Sequence, residues 1–524
     1  MRRAVAPGLA VTLLLGTACA SKAQLPCEAI DVPDRGGAHI LPGTYIGIEY
    51  ARRGRQTLSF DLFRQADDAA RPTAVILRGG EGMSTVGART SFVGQIAEAV
   101  ANAGYHVVLP DYRSTSSADT ERDLVDLFQT LRCHAVALGI DAERVVLLGE
   151  HTGGDAALRL TSHLAGFRRG RTARRPAPPR ATVALGATFA DVPAAIEDAT
   201  LLVHGTANRE PPVARAQAVC ATAAEGTPCA VDAVEGASHR VENWWPVQWP
   251  YKARMVAWLG EHVGAVPAAA WPDDPRLRKR VVFDSEHGLS MDVHVPDGPG
   301  PFAAAILVHG GGWEAGDRVT YITPMFAPLA ARGIAWFSID YRLTPQVTNG
   351  AQIEDVARAV AFVKAHASEY RVDPARLVLV GESASGQLVS HLATRGADVA
   401  GVVSFYGVYD FLAMNTDVSS PRALPRRLFG ITTMDDSGRA TLREHSPQYH
   451  VTRNMPPMLL VTGTGDGLWA QAQAFEQALR GAGARFDSIA LPDAPHGMEQ
   501  WNADPRWRTW SAQVVDWVES VTRR

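Results

Sequence analysis

The same ordered set of short segments occurs twice in this chain, and that duplication limits the folds open to it. Val75-Ile76-Leu77-Arg78-Gly79-Gly80 matches Ile306-Leu307-Val308-His309-Gly310-Gly311, at an offset of 231 (309 − 78). Asp111-Tyr112-Arg113 returns as Asp340-Tyr341-Arg342 at an offset of 229 (340 − 111). Val145-Val146-Leu147-Leu148-Gly149-Glu150 returns as Leu377-Val378-Leu379-Val380-Gly381-Glu382 at an offset of 232. Gly205-Thr206 returns as Gly463-Thr464 at 258, and His239-x-x-Glu242-x-Trp244 as His496-x-x-Glu499-x-Trp501 at 257. One order kept through both halves means two copies of one domain. The length of 524 residues is also too great for a single ordinary core.

The offset grows from 232 at Gly149 to 258 at Gly205, so the second copy is expected to carry an insertion, placed at about 409–457. The stretch 266–280, with Pro267, Pro272 and Pro275, reads as a linker. The expected domains are therefore 24–265 and 281–524.

Each copy alternates short apolar runs with longer segments of helical periodicity. In the second copy 304–308, 334–339 and 377–380 read as buried strands, and 353–365 has apolar residues at helical spacing. Strands separated by helix-length segments predict a mostly parallel sheet with helices on both faces. Loops at the carboxyl ends of such strands carry the ligand sites.

Those loops hold the chemistry. The strand 377–380 runs directly into Gly381-Glu382-Ser383-Ala384-Ser385-Gly386 and then a helical stretch. A serine on a sharp strand-to-helix turn lifts its hydroxyl clear of the sheet, and small neighbours let strand and helix approach. The usual pattern is G-x-S-x-G; here Ser385 takes the last glycine position, which is expected to be tolerated with a shifted turn. The alternative for Ser383 is a plain helix N-cap. His309-Gly310-Gly311-Gly312-Trp313 follows the strand 304–308. Amides of Gly311 and Gly312, with that of Ala384, are candidates for an oxyanion hole. Asp466 follows the strand 458–462 in Gly463-Thr464-Gly465-Asp466, and His496 follows the strand 488–491. Serine, acid and histidine in that chain order form a candidate nucleophile, orienting carboxylate and base. Asp410 and Asp493 are alternative acids, but neither follows the Gly-Thr-Gly turn.

These residues resemble the α/β-hydrolase superfamily, and most closely its hormone-sensitive-lipase-like and feruloyl-esterase-like carboxylesterases. The likeness rests on the runs 309–313, 340–343, 373–376 and 381–386, on Ser446-Pro447 and Met455-Pro456-Pro457, and on the Asp466 and His496 loops. It covers essentially all of 281–524. It implies an α/β protein of two tandem α/β-hydrolase domains, and hydrolysis of a short-chain or aromatic small-molecule ester through an acyl-enzyme. It implies no metal and no organic cofactor. The segment 409–457, with its Leu, Phe and Met residues, reads as a cap over the site, against the alternative of a plain surface excursion.

The first copy departs from the pattern at the reacting positions. His151 stands where the nucleophile should be, Asn208 replaces the acid, and only His239 survives. The glycine run reads Arg78-Gly79-Gly80-Glu81. Ester hydrolysis is not expected there; a structural or ligand-binding role is, with Arg78 suggesting a sugar or an acidic group. Thr152 as a displaced nucleophile and a metal held by His151 and His239 are the other readings. For the whole chain the alternatives are an amidase or formamidase using the same triad, or a binding protein with two inactive copies.

A net charge of −4 gives no electrostatic case for nucleic acid. The segment 1–23 combines Arg2 and Arg3 with an apolar run and small residues, the pattern of an export signal. Cleavage after Ala20 or Ala23 predicts a periplasmic or secreted protein; lipid attached to Cys19 would instead tie it to a membrane. The other cysteines, Cys27, Cys133, Cys220 and Cys229, allow three pairings. Cys220 with Cys229 is favoured by proximity, against the reading of four buried small hydrophobes.

Overall fold

In the computed structural model the apolar runs become two eight-stranded sheets, one in each half. The structure describes residues 29–523 apart from 33–40, 42–43, 55, 68, 80–92, 170–175, 238, 240–249, 265–273, 421–422 and 504–505. The expected export signal with Cys19 lies outside the described residues. So do Cys27, Gly80, Glu81, Glu242, Trp244 and the first part of the expected linker.

The first sheet comprises β1 (Thr44–Arg53), β2 (Gln56–Phe63), β3 (Arg71–Leu77), β4 (His106–Pro110), β5 (Ile140–Glu150), β6 (Ala181–Leu185), β7 (Ala199–Gly205) and β8 (Cys229–Val234). The second comprises β9 (Leu277–Asp284), β10 (Leu289–His294), β11 (Phe302–Val308), β12 (Ala335–Ile339), β13 (Val372–Glu382), β14 (Gly401–Phe405), β15 (Met458–Gly463) and β16 (Phe486–Leu491). The first order is β1-β2-β4-β3-β5-β6-β7-β8, and the second is the same sequence of positions, β9-β10-β12-β11-β13-β14-β15-β16. In each sheet the second strand, β2 or β10, runs antiparallel to both its neighbours, and the other seven run in one direction. This is the α/β-hydrolase architecture, written twice in tandem.

Alternate side chains of the central strands serve opposite faces, as strand geometry requires. Ala74 and Ile76 pack with helices Gly94–Asn102 and Tyr251–Val263, whereas Val75 and Leu77 pack with Ser117–Cys133 and Thr152–Arg169. In the second sheet Ala305, Leu307, Val378 and Val380 face helix Trp510–Thr522. Ala304, Ile306, Leu377 and Leu379 face helices Asn349–Ala365 and Ala384–Thr394. Both-face burial is why these strands read as continuous apolar runs. Each buried Leu, Ile or Val contributes about 1.5–3 kcal/mol. One apolar cluster contains residues of both sheets, so equivalent faces of the two domains meet.

Strand registers resolve the insertion. The offset is 232 from Val146 to Val378, 220 from Ala181 to Gly401 and 258 from Thr200 to Met458. The first copy is therefore longer by 12 (232 − 220) between β5 and β6. The second is longer by 38 (258 − 220) between β14 and β15, and the net difference is the rise from 232 to 258 visible in the sequence. Within the second insertion lie helices Leu424–Phe429 and Asp436–Glu444.

One boundary needs correcting. Residues 277–280, expected as linker, open β9: Leu277 is buried and Lys279 is held between carboxylates. The prolines that argued for a linker all precede this strand. Cys220 and Cys229 form a disulfide joining the end of helix Val213–Cys220 to the start of β8. Cys133 is disulfide-bonded as well.

Candidate active site

β13 ends at Glu382 and helix Ala384–Thr394 begins two residues later, leaving Ser383 alone on the turn. Its backbone sits at φ 55°, ψ −117°, a conformation that costs a non-glycine residue about 1–3 kcal/mol and persists where packing enforces it. Here the enforcement is visible. A Cβ on Gly381 would lie 2.4 Å from the Ser385 carbonyl oxygen, so only glycine lets helix and strand come this close. The Ser383 amide donates to the Phe405 carbonyl at 2.9 Å. Ser385 fits by hydrogen bonding: its Oγ donates to the Val308 carbonyl at 2.6 Å and accepts from the Glu382 amide at 2.8 Å. The hydroxyl thus ties the elbow to the end of the glycine-run strand.

On the loop after β11, the Gly310 amide donates to Glu382 Oε1 at 2.5 Å. Gly311, Gly312 and Trp313 all have positive φ (99°, 63° and 63°). Among the described residues, no hydrogen bond occupies the amides of Gly311, Gly312 and Ala384. These three unoccupied amides, on the loop after β11 and at the start of the helix that follows Ser383, are candidate donors to a tetrahedral oxyanion.

The acid and base converge on the serine from the neighbouring loops. Asp466 Oδ2 lies 2.7 Å from His496 Nδ1, and His496 Nε2 lies 2.9 Å from Ser383 Oγ. An ionised carboxylate only accepts, so Nδ1 carries the proton and the Nε2 lone pair faces the hydroxyl. The Leu468 amide donates to Asp466 Oδ1 at 2.8 Å and fixes the carboxylate. The Asp466 side chain is buried, whereas that of His496 is 42% exposed, open to substrate. Asp410 is instead engaged by Tyr449 Oη at 2.9 Å, and Asp493 projects into solvent beside Arg506. Neither competes with Asp466.

Several supporting residues carried no signal in the sequence. The Tyr406 ring lies 4.5 Å from that of His496, and its hydroxyl accepts the Met498 amide at 2.8 Å. Trp313 Nε1 donates to Gln387 Oε1, and Gln352 Nε2 to the Trp313 carbonyl. Glu314, just after the glycine run, pairs with Arg427 of the second-copy insertion. Isolated glutamines and tyrosines in helices and loops follow no pattern, so only the folded chain brings them to the site.

The equivalent place in the first domain keeps the backbone and loses the acid–base chain. His151 stands on the elbow at φ 53°, and a Cβ on Gly149 would lie 2.1 Å from the Gly153 carbonyl oxygen. The Gly79 amide donates to Glu150 Oε2 at 3.1 Å, as Gly310 does to Glu382. Asn208 Nδ2 lies 2.9 Å from His239 Nδ1, and its Oδ1 accepts the Glu210 amide at 3.1 Å. With that oxygen occupied, the NH2 group faces His239 Nδ1, and also His204 Nε2 at 3.1 Å, and in this amide orientation Nδ1 accepts. The proton then sits on Nε2, so this tautomer cannot act as a base from Nε2. The rings of His151 and His239 meet edge to face at 4.7 Å. No group of three or more His, Cys, Asp or Glu among the described residues could hold a metal ion.

A strained elbow, a glycine run after the neighbouring strand, and an acid and base on the next loops give the second half the arrangement of an α/β-hydrolase site. Comparison of the sequence with known proteins points the same way. The family model BD-FAE matches residues 291–479. The chain is 34% identical over 191 residues to the probable carboxylic ester hydrolase LipM of Mycobacterium tuberculosis, covering 33% of this chain and 44% of that protein. It is 30% identical over 252 residues to the esterase LipC of the same organism, covering 42% and 60%. The chain thus spans roughly half the length of these curated relatives. Among solved structures, an esterase from Pyrobaculum calidifontis matches at a TM-score of 0.40 and 22% identity, covering 44% of this chain and 80% of that one.

Proposed function

We propose that the chain is an exported serine hydrolase that cleaves a small carboxylic ester in its second domain. The observation that carries this is the unbroken line Asp466–His496–Ser383, at 2.7 and 2.9 Å. His496 Nε2 takes the hydroxyl proton as Ser383 Oγ attacks the ester carbonyl. Gly311, Gly312 and Ala384 amides hold the oxyanion, and His496 returns the proton to the departing alcohol. Water, deprotonated by His496, then attacks the acyl-enzyme and releases the acid. The similarity to carboxylic ester hydrolases supports an ester over an amide.

The first domain is, on this reading, a copy that has lost catalysis, with Asn208 setting the wrong tautomer at His239 and His151 in place of a hydroxyl. The insertion after β14 forms a cap that helps select the acyl or alcohol group, anchored near the glycine run through Arg427 and Glu314. Export is supported by the composition of 1–23 and by the Cys220–Cys229 disulfide, a bond that persists in oxidising compartments.

The test is hydrolysis of p-nitrophenyl acetate and butyrate by wild type and Ser383→Ala. Turnover that disappears in Ser383→Ala is expected. A folded wild type inactive on these and on a panel of aryl esters would favour a binding protein, and activity surviving the substitution would move catalysis elsewhere.

A further inference from the structure

We infer that Glu98, in the first domain, is a positioning residue for the oxyanion loop of the second, so that the first domain holds its neighbour's catalytic loop in register. The inference rests on the esterase reading above. Three features tie helix Gly94–Asn102 to the loop that continues the glycine run. The first is electrostatic. Glu98 lies on helix Gly94–Asn102 and is only 3% exposed. Its Oε1 is 2.6 Å from Lys279 Nζ, and its Oε2 is 3.2 Å from Arg280 and 3.6 Å from Arg318 Nη2. All three cations belong to the second domain. Arg318 in turn bonds Asp292 through Nε at 2.8 Å, and Asp340 through Nη1 at 3.1 Å and its own amide at 3.0 Å. Lys279 also pairs with Asp292.

The second contact is steric. A Cβ on Gly94 would lie 2.4 Å from the Val319 carbonyl oxygen and 3.0 Å from Val319 Cγ2. The helix therefore touches the loop backbone itself, at the residue after Arg318. The third is apolar: Val319, Ile322 and Met325 share one buried cluster with Ile96, Ala97 and Val100 of that helix.

From Arg318 and Val319 the path to the oxyanion amides is short. Tyr321 packs on the glycine run: a Cβ on Gly311 would lie 3.0 Å from its Cε2, and one on Gly316 2.9 Å. A shift at 318–321 is thus passed to Gly311, whose amide must point at the developing charge. Misplacing such a group by about 1 Å can cost on the order of 100-fold in rate. The two copies need not share any chemistry for this to hold; packing of equivalent faces suffices, and it explains why an elbow without a working triad is still a folded domain.

The experiment uses the full chain with Glu98→Gln and Gly94→Ala. Alanine is the better helix former, so Gly94→Ala should not weaken its helix locally while it pushes on Val319. Both variants should lose roughly 10- to 100-fold in kcat on p-nitrophenyl butyrate, with KM within about twofold. The inhibition constant of a trifluoromethyl ketone, which forms a tetrahedral adduct with serine, should rise in parallel. Circular dichroism should be unchanged. If Glu98→Gln does not fold, Gly94→Ala decides. Folded variants with wild-type kcat and inhibition constant would overturn the coupling while leaving the esterase reading intact. A wild type with no Ser383-dependent turnover would instead overturn the esterase reading.

Discussion

The substitution Asp466→Asn tests the acid–base assignment against an experiment already present in the first domain. In wild type, Asp466 Oδ1 accepts the amide of Leu468, two residues on, at 2.8 Å, and Oδ2 faces His496 Nδ1 at 2.7 Å. Asn208 has the same arrangement: Oδ1 accepts the amide of Glu210, two residues on, and Nδ2 faces His239 Nδ1. An asparagine at 466 will therefore keep its oxygen on Leu468 and turn its NH2 toward His496. Nδ1 becomes an acceptor, the proton moves to Nε2, and an N–H points at Ser383 Oγ where a lone pair is needed. Loss of the base through the wrong tautomer costs roughly 10⁴-fold in kcat in the general serine triad, or about 5.4 kcal/mol of transition-state stabilisation. Because the replacement is isosteric and both hydrogen-bond positions stay filled, the melting temperature should move little. The assay is kcat and KM on p-nitrophenyl butyrate with thermal denaturation alongside. A folded Asp466→Asn enzyme retaining more than about a tenth of wild-type kcat would refute the tautomer argument.

Two other outcomes follow from particular contacts. Ser385→Ala leaves the Val308 carbonyl and the Glu382 amide without the hydroxyl that serves both, a loss of about 2 kcal/mol. Melting should fall by roughly 4–8 °C, and an unchanged melting temperature would mean that the elbow repacks without it. Burial pushes His106, His294, His309 and His391 each down to about 4, so the folded state holds them neutral. Their folded values lie below the unfolded one near 6.5, so this stability is present above pH 6.5 and is lost as pH falls toward 4. Each removes up to about 1.4 kcal/mol per pH unit across that window. Chemical denaturation at pH 7.5 and 5.5 should show a clear drop in stability; equal values would contradict it.

Much of this molecule was legible without coordinates, for identifiable reasons. Strands buried on both faces must be written as apolar runs, so β11, β13 and β15 announced themselves. The elbow was readable because close approach of backbone leaves no room for a Cβ at 381 or 386. Ser383 and Asp466 stood out because each follows such a strand, His496 because it follows the edge strand β16 in the expected chain order, and the differing residues of the first copy stood out by comparison with them.

What the sequence could not specify depends on distance along the chain. The single jump in offset concealed two opposed length changes, which separated only when strand registers aligned Ala181 with Gly401. The roles of Gln387, Tyr406 and Glu382 rest on contacts between elements far apart in order, and such contacts leave no periodic trace. Glu98 is the clearest case. By itself it is one glutamate on an amphipathic helix, expected in solvent. Tertiary packing brings it against Lys279 and Arg318, which belong to the other half of the chain, and buries it. The local pattern determines which residues turn inward, but only the packing of two whole domains decides which charges they meet there.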